Sequence, residues 1–134
     1  MSFCDYLENK VLDHLFGAST YTPSGTLYIA LSSGIPTNDA GGGFNEPSGG
    51  AYARVSMTNN KTNWTTAANG ALENATAITF PTATAAWGTV SYFGIYDAST
   101  VGNLLASGAL TLAKSIVSGD TASFASGALD ITLD

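Results

Sequence analysis

Charge is scarce in this chain, and positive charge scarcest: of 134 residues ten are acidic and four basic, a formal net charge of −6. Lys10, Arg54, Lys61 and Lys114 are scattered, so no basic cluster is available to neutralise phosphates, which argues against nucleic acid as a partner. One cysteine, Cys4, cannot form an intrachain disulfide or by itself hold zinc. Stability must come from packing. No apolar run reaches the roughly 20 residues that span a bilayer, and the start MSFCDYLENK has neither a basic nor an apolar leader region. The expectation is cytoplasmic synthesis with no membrane anchor. Apolar residues nevertheless make up 45% of the chain, the opposite of the low-apolar, high-charge pairing of disordered sequences.

Chemistry-bearing residues are equally sparse. His14 is the sole imidazole and Cys4 lies ten positions upstream; on one helix, at about 1.5 Å rise per residue, the two stand roughly 15 Å apart, too far for a thiolate–imidazole pair. Neither HExxH, CxxC nor an EF-hand loop occurs. Asp39 and Glu46 share a long loop, while Asp97, Asp120, Asp130 and Asp134 fall at turns or strand ends, where Asp caps turns. Gly41-Gly42-Gly43 is not followed by Gly-Lys-Ser/Thr and is no phosphate cradle. Nothing marks Glu8, Glu46 or Glu73 as a matched acid and nucleophile. No catalytic residue, metal ligand or cofactor is expected.

What is present is pattern. Ser2 reads as an N-cap with Asp5 three residues on, and Phe3, Leu7, Val11 and Leu15 recur at every fourth position beside Leu12 and Phe16, predicting a helix that Gly17 ends. Its apolar stripe must be covered by the same subunit or by a neighbour. Beyond Gly17 the period changes to two. Strands are expected over Thr26–Ser32, Ala51–Met57, Thr76–Phe80, Thr89–Tyr96 and Asn103–Ile116, the last bent at Gly108. Thr121–Ala125 and Leu129–Leu133 read as a closing hairpin with Leu129, Ile131 and Leu133 inward. The predicted fold is mainly β: a two-sheet antiparallel sandwich, jelly-roll-like, of seven to eight strands with a short N-terminal helix. It forms one domain, with residues 1–17 as the helix and 18–134 as the sandwich.

Two segments, Ser33–Gly50 and Asn59–Gly70, are too long for ordinary connections. Phe44 and Trp64 within them are candidate partner anchors or, equally, residues that fold back on their own core; Phe3 and Leu7 on the helix stripe are further candidate contacts. Trp87, just before a strong strand, reads as core. The Gly-Ala-Leu echoes at 70, 108 and 127 match a turn followed by a strand and need no duplication. Asn60, Asn63 and Asn74 begin Asn-x-Thr triplets that the Asn- and Thr-rich composition explains.

The stretches LENKVLDHLFG at 7–17, TLYIALSSGIP at 26–36, EPSGGAYARVSMTNN at 46–60, AITFPTATAAWGTVSYFGIYDA at 77–98 and NLLASGALTLAKSIVSGDTASFASGALDITLD at 103–134 together resemble a family of small bacteriophage virion proteins known as tail fibre or minor structural proteins. The resemblance implies a virion component, made in the host cytoplasm, without enzymatic activity or cofactor, whose partners are other virion proteins: the major capsid protein or tail proteins. The chain has no heptad shaft, collagen-like run or extended β-repeat of a long fibre. Capsid decoration (cementing of the shell) is therefore favoured, with a tail fibre, baseplate or receptor module as the alternative. In that alternative, aromatic and Asn side chains of the Asn59–Trp64 loop would bind a host glycan. Self-association is expected because such proteins sit on symmetry axes.

Overall fold

The computed structural model describes residues 2–37 and 42–133. Asp39 and Gly41 of the first long loop, and Asp134, lie outside the described residues.

Among the described residues nine strands and one helix follow in the order β1 (Ser2–Phe3), α1 (Asp5–Leu15), β2 (Thr26–Ser32), β3 (Val55–Thr58), β4 (Ala71–Glu73), β5 (Ile78–Thr79), β6 (Gly88–Tyr96), β7 (Leu104–Ile116), β8 (Ser123–Phe124) and β9 (Asp130–Thr132). All pairings are antiparallel. One five-stranded sheet has the order β1-β7-β6-β2-β3, and two ribbons, β4-β9 and β5-β8, supply strands from outside it. The architecture is mainly β and sandwich-like, with its strands divided five, two and two.

The core forms where alternation in β2 and β6 turns Ile29, Leu31, Val90, Phe93 and Ile95 to one side. There they meet Ile78, Phe80, Trp64, Trp87 and Leu129 from the ribbons and loops. A relay of rings runs through it: Trp87 on Tyr52 (5.2 Å, edge-on), Tyr52 on Phe80 (6.3 Å), Phe80 on Phe124 (6.4 Å) and Phe124 on Phe93 (5.9 Å). Such offset and edge-on pairs add to area burial. A second cluster gathers Cys4, Ala30, Tyr96 and Leu104, with Tyr28 and Phe44 packed on it. The sheet is thus covered on both faces.

The structure corrects several boundaries. Ser2 is not the helix cap: Ser2 and Phe3 pair with Ser107 and Ala106, and Cys4 is the N-cap without a side-chain hydrogen bond. The Cys4 N–H donates to the Leu105 carbonyl at 2.8 Å, so this backbone gains ladder partners that a helical start would forgo. The helix ends as expected at Gly17, where the Ala18 N–H reaches back to the Asp13 carbonyl. Thr121–Ala125 and Leu129–Leu133 do not form a hairpin with each other; β8 pairs with β5 and β9 with β4. Leu129 is buried as expected, but Leu133 is exposed, because β9 stops at Thr132. β4 was not foreseen, since Ala71–Glu73 is too short to show alternation. β7 is one strand, and its irregularities lie on either side of Gly108, which pairs regularly with Phe93. Leu105 is an extra residue between Leu104 and Ala106, and farther along Val90 to Tyr92 faces the longer run from Lys114 back to Ala109, so residues 110–113 swing out of the ladder.

Candidate functional site

The first long loop ends in EPSGGAYAR, and three of those residues build a clamp. Arg54 Nε and Nη2 donate to Glu46 Oε1 and Oε2 at 3.0 and 2.8 Å, while Nη1 donates to the carbonyls of Ala98 and Val101 at 2.7 and 2.9 Å. The guanidinium also lies 3.5 Å from the centroid of the Tyr96 ring. Its side chain is only 6% exposed and that of Glu46 25%, so this is a largely desolvated, bidentate ion pair, the geometry for which arginine is suited and lysine is not. Tyr52 donates its hydroxyl to Glu46 Oε1 at 2.8 Å and accepts the Leu31 N–H at 3.0 Å. Burial pushes the phenol of Tyr52 well above its ordinary value, and that of Tyr96 up to about 12 despite the opposing Arg54 charge. Burial alone would lower the Arg54 guanidinium, but the Glu46 hydrogen bonds and charge outweigh it and hold the cation. The clamp ties the long loop to the β6–β7 turn, which Asp97 closes by accepting from the Asn103 N–H and side-chain amide, both at 2.7 Å.

The backbone between Glu46 and Arg54 has to fold tightly. Gly50 adopts φ +58, and a Cβ there would stand 3.0 Å from Trp87 Nε1. That indole donates to the Gly50 carbonyl at 2.8 Å. Trp87 is therefore core, as its position before β6 predicts.

The second long loop is equally knitted. Asn60 Oδ1 accepts from the N–H groups of Thr62 and Asn63, both at 3.1 Å, and Asn63 bridges the Thr58 carbonyl and the Thr76 hydroxyl. Asn74 is fully buried and uses its amide completely, donating to the carbonyls of Thr76 and Ala125 at 2.8 and 2.9 Å and accepting the Leu129 N–H at 2.9 Å. It locks the two ribbons together, which accounts for this Asn better than the Asn-x-Thr pattern does.

Of the four candidate contact residues, Trp64 is 3% exposed and belongs to the main core, so it offers no free ring to a partner. Phe44 is half-buried, its ring set edge-on to Tyr96 at 5.5 Å. It rests directly on Gly94, where a Cβ would come within 2.6 Å of its Cε2. Both loop aromatics fold back onto their own subunit. Phe3 is half-buried in the edge strand β1, and Leu7 is half-buried against the main core. The structure does not bring these four into one patch.

The exposed apolar residues lie elsewhere. The helix buries none of its residues fully, and its last turn presents Leu12, Leu15 and Phe16, the last 83% exposed. On the swung-out part of β7, Leu112 is exposed beside a groove of about 550 Å³ lined by Leu110, Ile116, Phe93 and Phe124, with Lys114 and Asp120 also in its wall. A lone exposed leucine needs no explanation, whereas clustered ones mark contact surfaces. Helical periodicity had named Leu12, Leu15 and Phe16 but not which end of the stripe stays uncovered.

Cys4 is buried, its thiol pushed up by burial, a setting that disfavours the reactive thiolate. His14 accepts the Tyr21 N–H on Nδ1 at 3.2 Å and serves the helix exit. Among the described residues no three of His, Cys, Asp or Glu gather as a metal site, and no helix is long and apolar enough to cross a membrane.

No curated protein matches the chain. The family model described as Podophage GP4 fiber I protein gp80 matches residues 2–132, and with nearly its whole length matched the chain belongs to this phage fibre family, a structural component of the virion.

Proposed function

We propose that the protein is a compact module of the phage tail fibre or of its attachment, holding neighbouring virion proteins through surface contacts and catalysing nothing. The match of residues 2–132 to a podophage fibre family carries this reading. Supporting it, the described parts of the two long loops are pinned by internal hydrogen bonds and an ion pair, which suits a rigid building block better than a mobile catalytic lid. The uncovered helix end at Leu12, Leu15 and Phe16 supplies apolar surface of the kind that subunit contacts cover, either with copies of this chain or with another tail protein.

Shell decoration is the second reading. It is favoured by the compact five-two-two strand arrangement, which contains no shaft, and a cement subunit would need only to bind the mature lattice better than its precursor. Gold-labelled antibody against the protein, applied to intact virions, separates the two. Label confined to the tail region is expected; label spread over the head would overturn the fibre reading in favour of decoration.

A further inference from the structure

Asn69-Gly70 is the one Asn-Gly step in the sequence, and it forms the tip of the hairpin that leads into β4. Ala68 and Ala71 exchange both of their backbone hydrogen bonds across it, at 2.9 and 3.0 Å. The two residues between them take φ 52 and 74, the left-handed pair that a tight two-residue turn demands and that Asn-Gly supplies readily. A Cβ at Gly70 would stand 2.9 Å from the Leu133 carbonyl, and the Gly70 carbonyl accepts the Leu133 N–H at 2.8 Å. The turn therefore needs glycine directly after this asparagine.

The same pair is the chemically weakest point of the chain. An asparagine loses its side-chain amide when the backbone nitrogen of the next residue attacks Cγ. That attack is favoured by an unshielded nitrogen, an amide free to rotate, and solvent to take the proton. Gly70 has no side chain to shield its nitrogen, and among the described residues neither its N–H nor the Asn69 side chain has a hydrogen-bond partner. Both residues are exposed. Asn45, Asn59, Asn60, Asn63, Asn74 and Asn103, by contrast, hold their side-chain amides in hydrogen bonds. Asn9 sits inside α1, where the following N–H belongs to the helix ladder, and Asn38 lies outside the described residues. The turn opposes reaction by holding the backbone at Asn69 in one conformation. That opposition is weak here, since β4 has three residues in a two-stranded ribbon, and the ends of such ribbons open locally at little free-energy cost.

We propose that Asn69 is a site of spontaneous deamidation that loosens the β4–β9 ribbon as the protein ages. The Gly70 nitrogen gives up its proton and bonds to Asn69 Cγ, the bond from Cγ to the side-chain nitrogen breaks, and ammonia leaves a cyclic succinimide behind. Water then opens the ring. Attack at Cγ leaves an aspartate at position 69, which tolerates the left-handed backbone. Attack at the former main-chain carbonyl leaves an isoaspartate, with the chain now running through Cβ and Cγ. The added backbone atom does not fit a two-residue loop, so the Ala68–Ala71 pairing and the Leu133 bond to Gly70 are lost together. The reaction needs only water and is independent of where on the virion the chain sits.

The test ages the full chain in warm, mildly alkaline buffer, beside a sample held unfolded in urea. Peptide mapping by mass spectrometry locates each lost amide, and an isoaspartyl methyltransferase assay counts the isoaspartate. In the folded chain, conversion at position 69 is expected to run at least about tenfold faster than at any other asparagine, the margin that about 1.4 kcal/mol of barrier gives. Its rate should rise with pH, as proton loss from the Gly70 nitrogen requires. Asn69→Gly keeps a turn-compatible pair and has no amide to lose, so isoaspartate at this position should vanish. In the aged isoaspartate fraction, hydrogen exchange should quicken at the Ala71 and Leu133 amides while those of β6 stay protected. Conversion at position 69 no faster than at Asn45, Asn59 or Asn103 would overturn the proposal, and ready conversion in urea would then identify the folded turn as what protects the amide. Unchanged exchange at Ala71 and Leu133 in the isoaspartate fraction would overturn the loosening.

Discussion

The Arg54 guanidinium lies over the Tyr96 ring, 3.5 Å from its centroid, while both of its edges are spent on hydrogen bonds to Glu46 and to the carbonyls of Ala98 and Val101. One side chain thereby holds a long loop, a central strand and the turn after it in a single geometry. In a chain with four basic residues, placing one of them in a nearly buried site is a commitment to that loop conformation.

Removing one partner of a desolvated ion pair leaves the other uncompensated, at a cost of about 3–5 kcal/mol. Arg54→Ala is expected near the lower end of that range, since Glu46 is a quarter exposed and regains water. Glu46→Ala strands the buried guanidinium. The double substitution should cost clearly less than the sum of the single ones, a coupling that urea unfolding of all four proteins measures.

Asn74→Ala would orphan the Leu129 N–H and the Thr76 carbonyl together, while the Ala125 carbonyl keeps the Ala128 N–H. At about 1–3 kcal/mol per unsatisfied buried group, a loss of about 3 kcal/mol or more is expected. Hydrogen exchange should show the Leu129 amide losing protection before the amides of β6.

Alkaline pH should loosen the clamp. An unfolded tyrosine ionises near 10, whereas Tyr96 in the folded chain is held up to about 12 and Tyr52 is also raised. The folded state therefore keeps protons that the unfolded state gives up, so stability contributed by these phenols is complete below pH 10 and is lost as pH climbs toward 12. Thermal unfolding followed across that interval should show a falling midpoint, with a shallower fall in Tyr96→Phe.

The Phe44 ring occupies the space that a Cβ at position 94 would take, and Leu104 Cδ1 stands 2.8 Å from the same point. Gly94→Ala is expected to destabilise by about 1–3 kcal/mol through overpacking. Combining it with Phe44→Ala should recover part of that loss, because the second change vacates the space the methyl needs. Additive losses in denaturant titrations would show that Leu104, and not Phe44, sets the limit.

Where side-chain periodicity was strong, the sequence was enough: β2 runs over Thr26–Ser32 as its alternation predicts, and β6 differs by one residue at its start. Periodicity fails where hydrogen bonds to side chains decide. The strand expected from Ala51 begins only at Val55, because residues 51–54 are given over to the clamp and Ala51 takes a positive φ of 64. The strand expected from Thr76 shrinks to Ile78–Thr79 because Asn74 engages the Thr76 carbonyl. Such pairings join residues 54 with 98 and 74 with 129, and no local window contains them. The clamp did leave one trace in the sequence, the one arginine of a chain with four basic residues, set in a run that reads as a strand, since an arginine there must find a counter-charge or face water. Trp64 shows the limit of reading aromatics in loops as anchors: a long loop held by its own side-chain hydrogen bonds can carry its aromatic inward.

The most direct test of the fibre assignment is quantitative mass spectrometry of purified virions, giving the molar ratio of this chain to the major shell protein. A ratio of a few per cent is predicted, as suits a component of the tail. A ratio near unity or a simple fraction of it would place the chain on the capsid lattice and contradict the account, as would its absence from the particle.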